Sequence, residues 1–135
     1  MYLYVDISIL FVRNDVIPKQ LAKVIQVPFC VESLLSGVME SVAPDQRMIY
    51  RRPVNIPQDW RSKRLRLHFE AVDYQCIIFI DGKEVGRHSG GYDAFYVDIH
   101  DAITNIEDKL ELTVEVTDPT QTQPIPVGKQ WAGKF

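Results

Sequence analysis

An all-β sandwich is the fold class this sequence predicts, and three observations carry that expectation. Several short stretches alternate apolar and polar residues at period two, the signature of a strand with one buried face. Turn-forming pairs, above all Asp81-Gly82 and Gly90-Gly91, punctuate those stretches. No segment carries the pattern of a long helix.

Taken in order, the apolar odd positions Leu3, Val5, Ile7, Ile9 and Phe11 predict a first strand with one face turned to the core. Residues 19–27 suit either a short helical turn or a strand, because Pro28 stops a regular helix from running through. Residues 33–47 mix Gly37, Pro44 and Asp45 with polar side chains and read as a loop. Residues 48–55 read as a strand in which Pro53 calls for an edge or a bulge. In residues 64–72, Leu65, Leu67, Phe69 and Ala71 alternate with Arg66, His68 and Glu70, which predicts one buried and one wet face.

Residues 75–80 are almost continuously apolar, as expected of a strand covered on both faces. Asp81-Gly82 tolerates the two positive φ angles of a type I′ turn and ties that strand to residues 83–87 as a hairpin. Gly90-Gly91 then breaks the ribbon. Residues 95–99 form another strand, residues 101–106 a single helical turn, and residues 110–117 a last amphipathic strand. After Asp118 the prolines Pro119, Pro124 and Pro126 lie among Thr and Gln, which predicts an extended loop.

A chain of 135 residues, 46% of them apolar, is expected to form one domain with a real core. Its net charge of −3 and the lack of a basic block interleaved with aromatics argue against nucleic acid or an anionic membrane surface as partner. The apolar run at residues 2–12 contains Asp6 and is far shorter than the roughly 20 residues of a spanning helix. It also lacks the basic region and cleavage site of a signal peptide, so no export signal is expected in it. Cys30 and Cys76 sit among apolar neighbours and read as two small buried hydrophobes. His68, His88 and His100 are too widely spaced to suggest a metal site, and no metal or cofactor is expected.

The segment after the hairpin holds the best candidate for function. Glycines at 90 and 91 allow close approach to another surface, with Tyr92 and Phe95 as aromatic faces beside them. Tyr92 suits a sugar platform and a packing role equally, whereas Trp60 is better read as covering a sandwich edge. Glu32 and Ser33 are expected to cap or hydrogen-bond a loop, and Arg51-Arg52 to be solvated, ion-paired side chains on opposite strand faces. Most of the 18 carboxylates fall on wet strand faces or in turns, so no catalytic dyad is assigned.

An ordered set of short motifs gives these readings a context. Val27-Pro28-Phe29-Cys30-Val31-Glu32-Ser33-Leu34-Leu35-Ser36-Gly37, then Tyr50-Arg51-Arg52 with Pro57, Trp60 and Lys63-Arg64, then Leu67-His68-Phe69-Glu70-Ala71-Val72-Asp73 appear in sequence. Asp81-Gly82-Lys83-Glu84-Val85-Gly86-Arg87-His88-Ser89-Gly90-Gly91-Tyr92-Asp93-Ala94-Phe95, Thr117-Asp118-Pro119-Thr120 and Gly128-Lys129-Gln130 complete the set. Together they resemble the sugar-binding domain of family 2 glycoside hydrolases, the group of β-galactosidases, β-glucuronidases and β-mannosidases. The resemblance covers residues 25–130, with 1–24 a divergent N-terminal strand region and 131–135 a truncated tail.

That resemblance implies a jelly-roll, galactose-binding-domain-like sandwich that is not an enzyme by itself. The two glutamates of such retaining enzymes lie on a separate TIM barrel, the partner this domain would pack against. It also implies that His88, Gly90, Gly91, Tyr92, Asp93, Asp118, Lys129 and Gln130 face carbohydrate or that barrel. Members of the family are often exported by glycan-degrading bacteria. The family's usual N-terminal and closing strand patterns are absent, which leaves either the first strand as a substitute or an exposed edge suited to homodimerisation. A free-standing carbohydrate-binding protein and a vestigial structural fragment are the competing readings.

Overall fold

The computed structural model describes residues 5–13, 15–103, 109–119 and 122–125. Eight strands occur among the described residues: β1 (Val5–Val12), β2 (Lys23–Val27), β3 (Arg47–Asn55), β4 (Arg66–Phe69), β5 (Gln75–Ile80), β6 (Lys83–Ser89), β7 (Phe95–Asp98) and β8 (Lys109–Thr117). A four-residue helix α1 (His100–Ile103) follows β7, and 3-10 turns occupy Leu34–Ser36 and Gln58–Trp60. Six strands form one antiparallel sheet in the order β2-β1-β3-β8-β5-β6, and β4 pairs with β7 in a second. β8 returns to lie between β3 and β5, the long return of a Greek key, as a jelly-roll sandwich requires.

The core lies between these sheets. Ile9, Ile25, Ile78, Ile80, Leu110, Val114 and Val116 of the large sheet meet Val97 of the small one, with Leu67, Phe69 and Phe95 packed against them. The approach is tight at β6, where a Cβ on Gly86 would fall 2.8 Å from both Val97 methyls. The loop after β2 closes the other half of the core with Val31, Val38 and Val42. Tyr50 is half-buried there, and its phenol is pushed up to about 12 by desolvation first and by the charge of Glu32 second.

β1 shows the expected period: Ile7, Ile9 and Phe11 join the core, while Leu3 lies outside the described residues. Its outward face is covered too. Arg51 donates to the carbonyls of Pro18 (3.0 Å) and Lys19 (2.9 Å), and Arg47 pairs with Asp15, so the chain between β1 and β2 is held across this side of the sheet. Ile49 is consequently fully buried on the side away from the main core. Arg51 is thus more enclosed than the solvated residue expected from sequence, with its pair to Glu111 at 3.4 Å.

Proline 53 occupies a position β3 can spare. β1 pairs with β3 only over Arg47–Arg51, so Pro53 lies beyond its neighbour's end and is matched on one side alone, with Glu111. Asp81 and Gly82 take φ of 47° and 78°, as a type I′ hairpin demands, and Asp81 Oδ1 accepts from Glu111 N at 2.7 Å. The open alternative at residues 19–27 resolves as strand β2, paired with β1.

Four expectations need correction. β4 stops at Phe69 because its partner β7 has four residues and pairing ends at Phe69↔Phe95; Ala71, expected on the buried face, is exposed beyond it. β5 is not covered equally on both faces: Cys76, Ile78 and Ile80 are buried, while Ile77 and Phe79 sit half-buried opposite Glu115 and Thr113 on the outward side. β6 runs two residues past Arg87, to Ser89, because Gln75 pairs with that residue. Cys30 is exposed, in the turn whose carbonyl accepts from Ser33 Oγ at 2.8 Å; Cys76 alone is the buried thiol, and burial pushes its pKa up. Both cysteines are free.

Candidate functional site

The register of the large sheet decides which loops meet. Gln75 lies opposite both Ser89 and Thr117, and Thr117 lies opposite Arg47. The end of β6, the end of β8 and the start of β5 therefore share one rim of the sandwich, and each carries one of the sequence motifs.

Tyr74 joins them through its backbone. Its carbonyl accepts from Gly90 N at 2.9 Å, and its N–H donates to the Thr117 carbonyl at 3.4 Å. This single residue ties the β6–β7 loop to the segment that leads into Asp118. Gly90 has φ of 127°, a region that side chains rarely adopt, so the bend after β6 depends on it. Position 91 requires glycine for a different reason: a Cβ there would lie 2.3 Å from Asp73 Oδ1. The Asp73 carboxylate is seated against the Gly91 backbone, a role that only close packing, and no sequence spacing, reveals.

His88 belongs to the interior side of this rim. It pairs with Cys76 and so points to the same face as that buried thiol. Its ring stacks on Phe95 at a centroid distance of 3.9 Å and 10°, and Phe95 stacks on Phe69 at 4.9 Å and 9°. A three-ring column thus runs from one sheet into the other. His88 Nε2 is buried and meets no hydrogen-bond partner among the described residues.

Tyr92 and Asp93 project from the loop; Tyr92 is 50% exposed, and Asp93 is exposed. A Cβ on Gly90 would be 3.6 Å from Asp93 Oδ2 and 3.6 Å from His88 Nε2, so these two side chains flank the loop's bend. Asp118 is half-buried at the end of β8, followed by the buried Pro119, whose carbonyl accepts from Thr122 N at 2.8 Å. Six of the eight sequence-predicted residues, His88, Gly90, Gly91, Tyr92, Asp93 and Asp118, thus gather at one rim. Lys129 and Gln130 lie outside the described residues.

Other candidates take structural places. Ser33 caps the 3-10 turn at Leu34–Ser36, accepting from Ser36 N at 3.2 Å, as its motif predicted. Trp60 is 49% exposed in the second 3-10 turn, away from the strand ends that form the rim. No group of three metal-ligating side chains occurs among the described residues, and no described helix is long and apolar enough to cross a membrane. Chemically, the rim offers an exposed aromatic ring with carboxylate acceptors around a glycine bend, an arrangement suited to hydroxyl-rich ligands.

Comparison with known proteins bears on the family and the fold. The family described as "Glycosyl hydrolases family 2, sugar binding domain" matches residues 22–130. A β-galactosidase of Thermoanaerobacterium thermosulfurigenes is 31% identical over 77 residues, which cover 57% of this chain and 11% of that protein. A β-glucuronidase of Bacteroides fragilis is 39% identical over 54 residues, covering 40% of this chain and 8% of that protein. Among solved structures, a β-glucuronidase of Lactobacillus rhamnosus superposes with a TM-score of 0.70 over 86% of this chain and 20% of its own, at 21% identity, which is a likeness of fold. The chain spans about a tenth of the length of the curated relatives it matches. It belongs to family 2 of the glycosyl hydrolases, as the sugar-binding domain of that family.

Proposed function

We propose that this domain is a non-catalytic accessory unit that completes the substrate site of a larger β-glycosidase. Hydrolysis of a terminal β-linked sugar would fall to a TIM barrel outside the 135 residues, through two carboxyls about 5–5.5 Å apart in the retaining geometry. The observation that carries this reading is the Tyr74 link, which fastens the Gly90–Asp93 loop and the Asp118 segment to one rim. In this reading Tyr92, Asp93 and Asp118 face the sugar or the barrel mouth, Gly90 and Gly91 shape the loop, and His88 anchors it from below. Lys129 and Gln130, further along the same segment, meet the barrel or the substrate.

The competing reading is a free-standing carbohydrate-binding protein, which requires affinity in the chain alone. Saturation-transfer NMR with galactose, glucuronate and mannose separates the two. The accessory reading expects no transfer from these monosaccharides. It also expects Tyr92→Ala and Asp118→Asn, placed in the complete enzyme that carries this segment, to raise KM for a β-linked substrate while the fold is retained. Transfer that vanishes on Tyr92→Ala in the isolated chain would favour the free-standing reading; unchanged kinetics in the complete enzyme would overturn the proposal.

A further inference from the structure

The outward face of the small sheet carries a feature the rim does not use. In β4 and β7 the outward positions are Arg66, His68, Tyr96 and Asp98, paired as Arg66↔Asp98 and His68↔Tyr96. Tyr96 is 55% exposed, the most exposed aromatic among the described residues. An aromatic ring in a strand's wet position leaves apolar surface in water that a charged or hydroxyl side chain would not.

The groups around the ring are hydrogen-bond donors. The Arg66 guanidinium lies over it, 4.5 Å from the centroid, and the His68 ring stands 5.8 Å away, tilted by 33°. The nearby acceptor is already engaged: Asp98 receives Arg64 Nε at 2.5 Å and His100 N at 3.0 Å. A molecule resting on Tyr96 thus meets one ring face or edge and N–H groups from two sides, while the carboxylate of Asp98, the cross-strand partner of Arg66, has its oxygens taken up by Arg64 and His100 N. That set suits a sugar ring bearing a carboxylate: C–H groups on the aromatic ring, acid oxygens on Arg66 and His68. Cross-strand contacts of these same residues stabilise a two-stranded sheet, and they also hold the donors in place before a ligand arrives, which lowers the ordering cost of binding.

We propose that Arg66, His68 and Tyr96 form an accessory subsite for uronate-containing glycan on the outer face of β4–β7. Tyr92 and Tyr96 are four residues apart, so the subsite lies within about 14 Å of the rim loop by chain length alone. A polymer engaged at the rim could extend across it. The subsite rests on its own observations and stands whether or not the rim binds sugar.

The test is titration of the 135-residue chain with oligomers of polyglucuronic acid, followed by NMR of the Tyr and His ring signals. Neutral β-linked gluco-oligomers and a single-stranded oligonucleotide serve as comparators. Saturable shifts at His68 and Tyr96, with Tyr92 unmoved, are expected, together with a loss of about tenfold in affinity on Arg66→Gln and on Tyr96→Ala. These side chains lie on a wet face, and an unchanged melting temperature checks that each variant is folded. Arg66→Lys, which keeps the charge and loses the planar fork, should recover affinity only in part. Shifts confined to Tyr92, equal affinity for the neutral oligomers or the oligonucleotide, or no saturation at millimolar ligand would each overturn the proposal.

Discussion

The carboxylate of Asp73 occupies the space that a side chain at position 91 would need: a Cβ on Gly91 would stand 2.3 Å from Oδ1 and 2.5 Å from Cγ of Asp73. Position 91 is therefore glycine for room; position 90, with its φ of 127°, is glycine for conformation. Gly91→Ala is expected to destabilise the domain by about 1–3 kcal/mol, the usual cost of overpacking. Asp73→Ala opens the space, so the double variant should lose clearly less than the two single losses added together. Urea denaturation of the four proteins measures this, and strict additivity would show that the two residues do not meet.

The His88–Phe95–Phe69 column makes a second prediction. The ring of His88 supplies a stacked contact across the sandwich, while its Nε2 is buried with no partner among the described residues. Replacing it by Phe keeps the first and removes the second. His88→Phe should thus melt at or above the parent temperature, and His88→Ala should cost about 2–3 kcal/mol through lost packing. If the Phe variant melts as low as the Ala variant, the nitrogen and not the ring is what the site needs.

The parts of the fold legible in the sequence are those governed by short-range rules. Asp81-Gly82 named its own turn, and the alternation in β4 and β8 named their buried faces, because strand period and turn chemistry are local. What residues 19–27 would become was not local: β2 exists because β1 lies beside it, and nothing within Lys23–Val27 says so. The early stop of β4 has the same origin, since the four residues of β7 set its length.

The site was legible as a list and not as an arrangement. His88 through Asp93 are contiguous, and Asp118 was attached to them only by motif resemblance; the register Gln75↔Ser89 and Gln75↔Thr117 is what brings them together. Tyr74, which joins the two halves, acts through backbone atoms that carry no residue-type signal. Tyr96 carries a sequence signal in being an aromatic at a wet position of a short strand; its place beside Arg66 and His68 comes only from the pairing of β4 with β7.

Asp98 sets part of the response to acid. The hydrogen bond from Arg64 chiefly, and that from His100 N, hold its carboxyl below the usual range. A carboxyl depressed in the folded state contributes stability above its unfolded value, about 3.9, and loses it as pH falls through the lower folded value. Asp98→Asn should therefore reduce the loss of stability between neutral pH and about pH 3. The effect is small, as for exposed pairs generally, and equal acid slopes for the variant and the parent in urea titrations would remove Asp98 from the account.

Tyr50 governs the alkaline side with the opposite sense. Its phenol is raised from 10.0 to about 12 by burial first and by Glu32 second. A folded-state value above the unfolded one means that the native protein keeps a proton which the unfolded chain has released, so stability is intact below pH 10 and falls as the pH climbs towards 12. A two-unit difference corresponds to about 2–3 kcal/mol across that window. Tyr50→Phe keeps the ring in the core and, among the described residues, gives up only a weak contact from the hydroxyl to Met48 Sδ at 3.5 Å. It should match the parent near neutrality and outlast it above pH 10, as read from urea midpoints at pH 7 and pH 10.5. Parallel decline of both proteins would place the alkaline sensitivity in other groups, whereas a Phe variant already weak at neutral pH would mean that the hydroxyl contributes more than its one long contact suggests.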